Sequence, residues 1–192
     1  MSLKKTKSIA HGGKRVSEIL EAHQLFFSGK DGGVRADLQG ADLGGADLSG
    51  VNLSGALLKN ANLQGADLRK AKLAHADLSG ANLRKADLRN TDLTEANLPG
   101  ANLEEAQASG VEFFRCDLSH TNFQRALLRN TNFRLANVNG AKFSGADMGV
   151  AILRETDLTG ADLSGVDLTT TLMPRNFPMA KSASAKADTK SA

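Results

Sequence analysis

The apolar residues of this chain recur every five positions between residues 36 and 173. The unit is clearest at the start of this region, where residues 36–40, 41–45 and 46–50 read ADLQG, ADLGG and ADLSG. Counted from the central apolar position i, a unit has a small residue at i−2, usually Asp or Asn at i−1, and then a polar residue followed often by Gly. Twenty-eight units follow one another without an insertion or deletion.

The two apolar positions of the unit predict an inward-facing pair. Position i holds 20 Leu, 4 Phe, 2 Met, 1 Val and 1 Ala, and position i−2 holds 19 Ala, 5 Thr, 3 Val and Cys116. A period of five fits neither a helix nor a simple strand. Residues two apart in an extended segment point to the same side, so i−2 and i face inward together while i−1 faces outward.

The end of each unit predicts a corner. Gly occupies i+2 in twelve of the twenty-seven complete units, and Asn is found there at positions 60, 90 and 130. Both residues tolerate a positive φ, which the third residue of a type II turn requires. A chain that bends in one sense every five residues forms a coil, and stacked coils pair as parallel strands. We therefore predict an all-β solenoid over residues 36–173.

These units resemble the repeats of the pentapeptide repeat proteins, whose motif is A(D/N)LXX. The resemblance implies a right-handed, quadrilateral parallel β-helix with four repeats per coil, and the handedness agrees with that of parallel crossovers in general. Twenty-eight units would make about seven coils, in a rod roughly 30–35 Å long if strands stack ~4.8 Å apart. Units twenty residues apart would form one side of the rod, and we label the sides A to D from residues 36–40.

The sequence before the repeats predicts a cap. Residues 1–13 are basic and are expected to be disordered. Between about residues 14 and 28, apolar residues fall near helical spacing at Val16, Ile19, Leu20, Phe26 and Phe27, and Gly29 supplies a stop. We predict that residues 14–35 form a capping helix and the loop leading into the repeats. Such a cap would cover the first coil, whose open edge otherwise invites end-to-end assembly.

Two segments of different composition follow the repeats, first a short apolar one and then a polar tail. Pro174 and Pro178 end strand pairing, because proline cannot donate to a ladder. Residues 174–179 form a short apolar segment that either covers the last coil or contacts a second copy of the chain, with Met173, Phe177 and Met179 as the candidate contacts. Residues 180–192 contain only Ala, Ser, Lys, Asp and Thr, so this tail is expected to be disordered.

Composition narrows the possible locations. The chain contains no run of 18 apolar residues that could span a membrane. Its basic start is not followed by the apolar run of a secretory signal, so the expected location is the cytoplasm. The family resemblance implies that the cell is bacterial. The single cysteine, Cys116, excludes an internal disulfide and is interpreted as a buried small residue rather than a reactive thiol.

The titratable residues do not predict an enzyme. The four histidines lie in different parts of the chain, and no Cys/His cluster has metal-binding spacing. Asp or Asn fills position i−1 in twenty of the twenty-eight units, which indicates a repeated local role as acceptor of backbone hydrogen bonds. A catalytic carboxylate pair also needs a cleft that a smooth rod does not provide. We predict no catalytic residue, no metal and no cofactor.

The family resemblance raises one specific function. Some members bind DNA gyrase or topoisomerase IV by imitating duplex DNA. Residues 36–173 hold 17 acidic and 13 basic residues, a charge of −4, whereas a duplex of this length carries roughly 18–20 negative charges. The candidate mimic face is side A, with Asp37, Asp77, Asp117 and Asp157. Basic residues lie scattered among carboxylates, so direct nucleic-acid binding is not expected.

One surface departs from the repeat rule. Outward positions mostly hold Gly, Ser, Asn, Asp or Lys, but side D carries large apolar residues and arginines in four consecutive coils. This side D patch comprises Phe114, Arg115, Arg134, Leu135, Ile152, Arg154 and Leu172, with Val150 and Leu127 on the adjoining side C. Apolar surface bordered by Arg is typical of protein–protein contacts.

Two interpretations of the patch remain. Either the C-terminal segment or a local corner variant covers it, or it binds a protein. We predict a binding scaffold whose partner is an unidentified protein or a second copy, as in a homodimer. The alternative function is a DNA-mimicking modulator of gyrase or topoisomerase IV.

Overall fold

Parallel pairing between residues twenty positions apart organises the repeats. In the computed structural model, which describes residues 3–175 and 177, Asp37 pairs with Leu57 and Leu57 pairs with Asp77, and the series continues to Asp157. The Leu57 amide donates to the Ala36 carbonyl at 2.9 Å, and the Leu38 amide donates to the Leu57 carbonyl at 2.8 Å. Four units separate each pair of bridged residues, so units of one side lie above one another. The prediction of a β-solenoid is confirmed.

The interior is built from the two positions that the repeat predicts. Every residue at position i from Leu38 to Leu153 is fully buried, and the i−2 residues beside them are buried except for the half-buried Val51. Extended geometry places these two side chains on the same face of each unit. The result is one continuous apolar core along the repeats.

The corners adopt the predicted backbone conformation almost without exception. All twelve glycines at i+2 have positive φ, and so do fourteen larger residues at the same position, from Asn60 to Glu155. A hydrogen bond closes each corner, as from the Ala41 amide to the Leu38 carbonyl at 3.1 Å. Since most residue types avoid this region, the repeat geometry determines the conformation here, and the residue type does not.

The Asp and Asn side chains at i−1 have the local role that the sequence predicts. The Oδ1 atom accepts a hydrogen bond from the backbone two residues on, as Asp47 does from the Ser49 amide at 3.2 Å. On side B the amides also connect coils, because Asn62 Nδ2 donates to Asp42 Oδ1 at 2.8 Å and Asn82 Nδ2 donates to Asn62 Oδ1 at 3.1 Å. These side chains stabilise corners and coil stacking.

A small α/β unit precedes the repeats. It contains a 3-10 turn at Thr6–Ser8, the antiparallel strands β1 (Ala10–His11) and β2 (Lys14–Arg15), and the helix α1 (Val16–Phe27). The Glu18 carboxylate accepts the Arg15 amide hydrogen bond at 3.0 Å and so caps the first turn of α1. The helix predicted near residues 14–28 is therefore present, and Val16, Ile19 and Leu20 pack against the core. Phe26 and Phe27, which the prediction also counted as apolar positions of the helix, are about half exposed.

The expectation that residues 1–13 are disordered is wrong for the residues that the structure describes. Lys4 forms a parallel bridge with Ala46. Its amide donates to the Gly45 carbonyl at 2.8 Å, and its carbonyl accepts from the Asp47 amide at 2.9 Å. The sequence argument considered only apolar side chains, whereas this segment is held by the backbone groups that the first coil leaves open.

His23 joins α1 to the first coil. Its side chain is fully buried, and its Nδ1 atom accepts a hydrogen bond from the Ala36 amide at 3.1 Å. The Nε2 atom therefore carries the proton, and it has no hydrogen-bond partner within the described part of the chain. Burial lowers the pKa of His23 and outweighs the nearby backbone of Ser54, which raises the pKa without meeting hydrogen-bond geometry at Nε2. The charge of Arg35 lowers the pKa further. Protonation would remove the acceptor that Ala36 needs.

This geometry predicts that the cap loosens in mild acid. The stabilisation from neutral His23 should be complete above its unfolded pKa of 6.5 and should be lost as pH falls from there through the lower folded value. We expect the urea midpoint to fall between pH 7.5 and pH 5.5. In a His23→Asn variant, whose Oδ1 can accept the same hydrogen bond but does not titrate, the midpoint should change much less. An equal fall in both proteins would contradict this role.

Four phenylalanines fill the middle of the core. Phe113 stacks on Phe133 with ring centroids 4.9 Å apart, and Phe123 stacks on Phe143 at 5.0 Å. The two stacks meet edge to face at 5.6–6.0 Å. Each stack joins residues twenty positions apart, on side D and on side B, and these rings are the largest fully buried side chains.

The core thins toward the C-terminal end of the repeats. In contrast to the earlier core residues, the last ones are only half-buried: Leu158, Leu163, Val166 and Met173.

The predicted tail, residues 180–192, lies outside the described residues. Among the residues that are described, none belongs to a helix with the length and apolar character needed to cross a membrane.

Candidate functional site

The structure stacks two aliphatic residues of the side D patch in neighbouring coils. Ile152 and Leu172 are bridge partners, and the Leu172 amide donates to the Ala151 carbonyl at 2.8 Å. Ile152 is half-buried and Leu172 is 39% exposed. Both occupy outward i−1 positions, where most units carry Asp or Asn. The bridge shows that these two apolar residues of the patch are direct neighbours on adjacent coils.

Two further aliphatic residues lie at the corners that bound this side. Leu135 has a φ of 58° with 44% of its surface exposed, and Val150 has a φ of 60° with 46% exposed. A left-handed conformation costs an ordinary residue about 1–2 kcal/mol, and a β-branched residue such as Val150 is a clear outlier there. Within the described chain, both side chains remain exposed, so burial of apolar surface does little to offset this cost.

The three arginines of the patch are held differently. The Arg115 guanidinium lies 5.0 Å from the centroid of the Phe114 ring and 3.4 Å from the Glu95 carboxylate. Arg134 contacts the Glu155 carboxylate at 3.1 Å. Arg154 has no ion pair with any residue that the structure describes. Within residues 3–175 and 177, the patch therefore contains one arginine without a carboxylate partner.

A cleft adjoins the patch at the end of side D. It has a volume of about 690 Å³ and is lined by Arg154, Glu155, Met173, Pro174 and Arg175. Sequence reasoning missed Arg175, although its place two residues after the last apolar position marks it as a corner residue of the final unit. Leu127, in contrast, pairs with Gln107 and Asp147 on side C, so its pairing does not connect it to the patch.

The candidate mimic face on side A carries widely spaced charges. Asp37, Asp77, Asp117 and Asp157 lie in alternate coils, and the intervening positions hold Leu57, Asn97 and Asn137. Successive carboxylates are therefore two coil steps apart, roughly 10 Å, against ~1.7 Å per charge in a duplex. Hydrogen bonds from Thr159 lower the pKa of Asp157, consistent with a structural acceptor that stays ionised.

The described residues include one cysteine, Cys116, and its surroundings do not favour a reactive thiolate. Cys116 is buried, its thiol donates to the Leu93 carbonyl with a separation of 2.8 Å, and burial raises its pKa to about 12. Thr121 makes the equivalent bond to Leu98 at 2.8 Å, so Cys116 fills an ordinary i−2 position. No group of His, Cys, Asp or Glu among the described residues is arranged to hold a metal ion.

The proposed terminal contacts are described only in part. Met173 is half-buried against the core, and the Phe177 amide donates to the Pro174 carbonyl at 3.1 Å. Met179 lies outside the described residues. Phe177 is half-buried, so the turn at Pro174 brings the chain back toward the protein surface.

The repeats match a known family over their whole length. The sequence profile for pentapeptide repeats matches the chain in eight copies, over residues 36–74, 71–113, 112–149 and 150–173. The chain belongs to the pentapeptide repeat family. This confirms the resemblance that the A(D/N)LXX units indicate. A comparison with curated protein sequences found no match.

Solved structures of pentapeptide repeat proteins are similar to this one. QnrB1, a plasmid-mediated fluoroquinolone resistance protein, is 24% identical, and the similarity covers 72% of this chain and 70% of QnrB1 with a TM-score of 0.52. HetL from the cyanobacterium Nostoc sp. strain PCC 7120, a protein involved in regulating heterocyst differentiation, is 29% identical over 72% of this chain and 81% of its own, with a TM-score of 0.36. The protein alr5209 from Nostoc PCC 7120 is 27% identical over 77% and 93%, with a TM-score of 0.30.

Proposed function

We propose that this pentapeptide repeat protein is a non-catalytic scaffold that binds a partner protein through the side D patch. The rod would be a right-handed, quadrilateral β-helix of about seven coils. Support for this form comes from bridges that join residues twenty positions apart, since four five-residue units span that distance. A rigid rod holds surface residues at fixed spacing, which suits recognition better than chemistry.

The observation that carries this proposal is the pair of strained, exposed aliphatic residues at the edges of side D. Leu135 and Val150 keep left-handed conformations in which glycine or asparagine would be more stable. They also expose apolar surface, which lowers solubility. A bound protein that covers both side chains would supply the burial that the free chain lacks. Twelve other non-glycine corners share the positive φ, so the exposed aliphatic side chains are what distinguish these two corners.

The flanking segments have roles in the same proposal. Residues 14–35 would act as the cap of the first coil, supported by the hydrogen bond from Ala36 to His23. Residues 174–179 would cover the last coil or form the contact of a homodimer, supported by the half-buried residues at that end. A bacterial, cytoplasmic location stays a prediction.

The proposal predicts that stability and binding change in opposite directions. In a Leu135→Asn, Val150→Gly double variant, relief of the left-handed strain should raise the free energy of unfolding by about 1 kcal/mol per site. Loss of the apolar contacts should remove the proteins that the natural chain captures from a bacterial lysate, or lower its mass in light scattering if the partner is a second copy. Urea unfolding, pull-down and light scattering measure the three quantities.

The matched control is a Lys70→Gly, His120→Asn double variant. Both residues have positive φ at corners outside the patch, with values of 58° and 56°. This control should gain similar stability while capture and mass remain those of the natural chain. A Phe114→Ser, Ile152→Ser variant should lose binding as the patch variant does. Unchanged capture and mass in both patch variants would remove the proposed function.

A DNA-mimicking action on gyrase or topoisomerase IV is the second candidate. Its support is the fold similarity to QnrB1, a fluoroquinolone resistance protein. The wide spacing of the side A carboxylates argues against it. We expect micromolar protein neither to inhibit gyrase supercoiling nor to protect it from a quinolone. Protection that is lost after Asp77→Asn and Asp117→Asn substitution would instead establish side A as a functional face.

A further inference from the structure

Arg154 is distinguished by its lack of an ion pair. Of the eight arginines in residues 36–173, seven lie within 4.0 Å of a carboxylate. These are Arg69, Arg84, Arg89, Arg115, Arg125, Arg129 and Arg134. Arg154 has no such partner within residues 3–175 and 177. The other arginines of the repeats are paired with a carboxylate of their own unit or of a neighbouring coil, so Arg154 is the exception among them.

A second arginine without a described ion pair lines the same cleft. Arg154 and Arg175 share the cleft of about 690 Å³ with Met173 and Pro174. Its one acidic lining residue, Glu155, is already paired with Arg134 at 3.1 Å. Two guanidinium groups thus line an open space large enough for a side chain, and the one carboxylate of the cleft lining is paired with Arg134.

The charge of the cleft differs in sign from that of the rod. The cleft lining has two arginines and one glutamate, a formal charge of +1, whereas residues 36–173 as a whole carry −4. The other two arginines of the patch, Arg115 and Arg134, are paired with Glu95 and Glu155. Arg154 and Arg175 follow the half-buried Ile152 and the exposed Leu172 by two and three residues along the chain. A complementary surface would therefore present negative charge next to aliphatic side chains.

We infer that the occupant of the side D patch is an acidic segment of the partner protein. An Asp or Glu carboxylate of that segment enters the cleft between Arg154 and Arg175, and adjacent aliphatic residues lie on Ile152 and Leu172. The planar guanidinium group presents paired donors that match a carboxylate, which makes arginine suited to such contacts. This inference rests on the proposed function and adds the chemistry of the partner.

The same features disfavour a nucleic acid as the occupant. Tracking a phosphate backbone needs a basic stripe, and binding of single strands adds aromatic platforms for the bases. The patch offers one half-buried phenylalanine, Phe114, which is already in contact with Arg115. Its remaining apolar groups are aliphatic. These fit a polypeptide better than a nucleic acid.

The test is selection of peptides from a phage-displayed library of random 12-residue sequences on the immobilised full chain. The selected peptides should contain Asp or Glu next to Leu, Ile or Val. Arg154→Gln and Arg175→Gln should each weaken the selected peptides by about tenfold to a hundredfold, and binding should weaken as salt rises. Arg69→Gln, which removes a paired arginine on side C, should leave the affinity unchanged.

The possible results separate this inference from the proposed function. Peptides without acidic residues that bind Arg154→Gln normally, but fail to bind the Leu135→Asn, Val150→Gly variant, would overturn the acidic partner and keep the patch as a binding surface. Selected peptides whose affinity is unchanged in every patch variant would overturn both, as would failure to select any peptide above background. Tighter binding of a 12-nucleotide single-stranded DNA than of any selected peptide, lost in Arg154→Gln, would overturn the inference in favour of a phosphate ligand.

Discussion

Deleting Gly100 alone should abolish cooperative folding, whereas deleting residues 76–95 should leave a shorter folded rod. The bridges join residues twenty positions apart, so removal of twenty residues preserves every stack of side chains. Removal of one residue shifts the following units by one position, and inward leucines would then lie against outward positions of the neighbouring coil. We expect the single deletion to cost about 5 kcal/mol or more, comparable to the total stability of a typical domain.

Circular dichroism and urea unfolding of the two deletion proteins measure this difference. The control is deletion of residues 76–80, which keeps the period of five but moves all later units to the preceding side. That protein should fold, with the side D patch displaced relative to the first coils. A cooperative unfolding transition for the Gly100 deletion, with the same midpoint as the natural chain, would contradict the register argument.

The Phe133→Ala substitution should destabilise the rod by about 3–5 kcal/mol, the usual range for a buried phenylalanine. Phe133 stacks on Phe113 at 4.9 Å and meets Phe123 and Phe143 edge to face at 6.0 and 5.8 Å. Its removal leaves a cavity where three other rings lose contacts. The stacked coils restrict collapse of that cavity, so the cost should be near the upper part of the range.

Urea unfolding of Phe133→Ala is best compared with that of Phe114→Ala. Phe114 is the next residue after a core phenylalanine but faces outward and is half-buried. Its replacement should cost less than about 1 kcal/mol, as for most surface positions. If the two variants lost equal stability, the four-ring group would not be a principal part of the core.

The repeat period alone predicts most of the solenoid. Alternation within each unit assigns Leu38 and its successors to the interior, and the structure buries them. Glycine and asparagine indicate a left-handed corner, but Glu105, Leu135 and Val150 adopt it as well. Their own residue types argue against that conformation. Only the unbroken register predicts it, because neighbouring coils fix the direction in which each corner must turn.

The parts that sequence could not predict depend on contacts between segments without a repeat. Nothing in the sequence near Lys4 indicates that its backbone pairs with Ala46, because backbone hydrogen bonding leaves no residue pattern. The bond from Ala36 to His23 likewise depends on the position of α1 over the first coil. An isolated histidine on a helix gives no sign of such a bond.

For the candidate site, the sequence predicted on which side of the rod the residues lie, but not which of the arginines have a carboxylate partner. Side assignment located Ile152 and Leu172 in neighbouring coils, and the bridges agree. It could not distinguish Arg134 from Arg154, since both are arginines at the same place in successive coils of side D. Arg134 contacts Glu155 at 3.1 Å, whereas Arg154 has no carboxylate partner among the described residues, and only side-chain geometry reveals that difference.

The left-handed corners have a wider consequence for how such a protein can change. Glycine satisfies the backbone at these positions, so a larger side chain there serves the outer surface rather than the core. Lys70, His75, Arg115 and Leu135 all occupy this class of site. A lineage could therefore exchange one ligand for another by altering corner residues alone. The interior would be inherited unchanged while the exterior diversified.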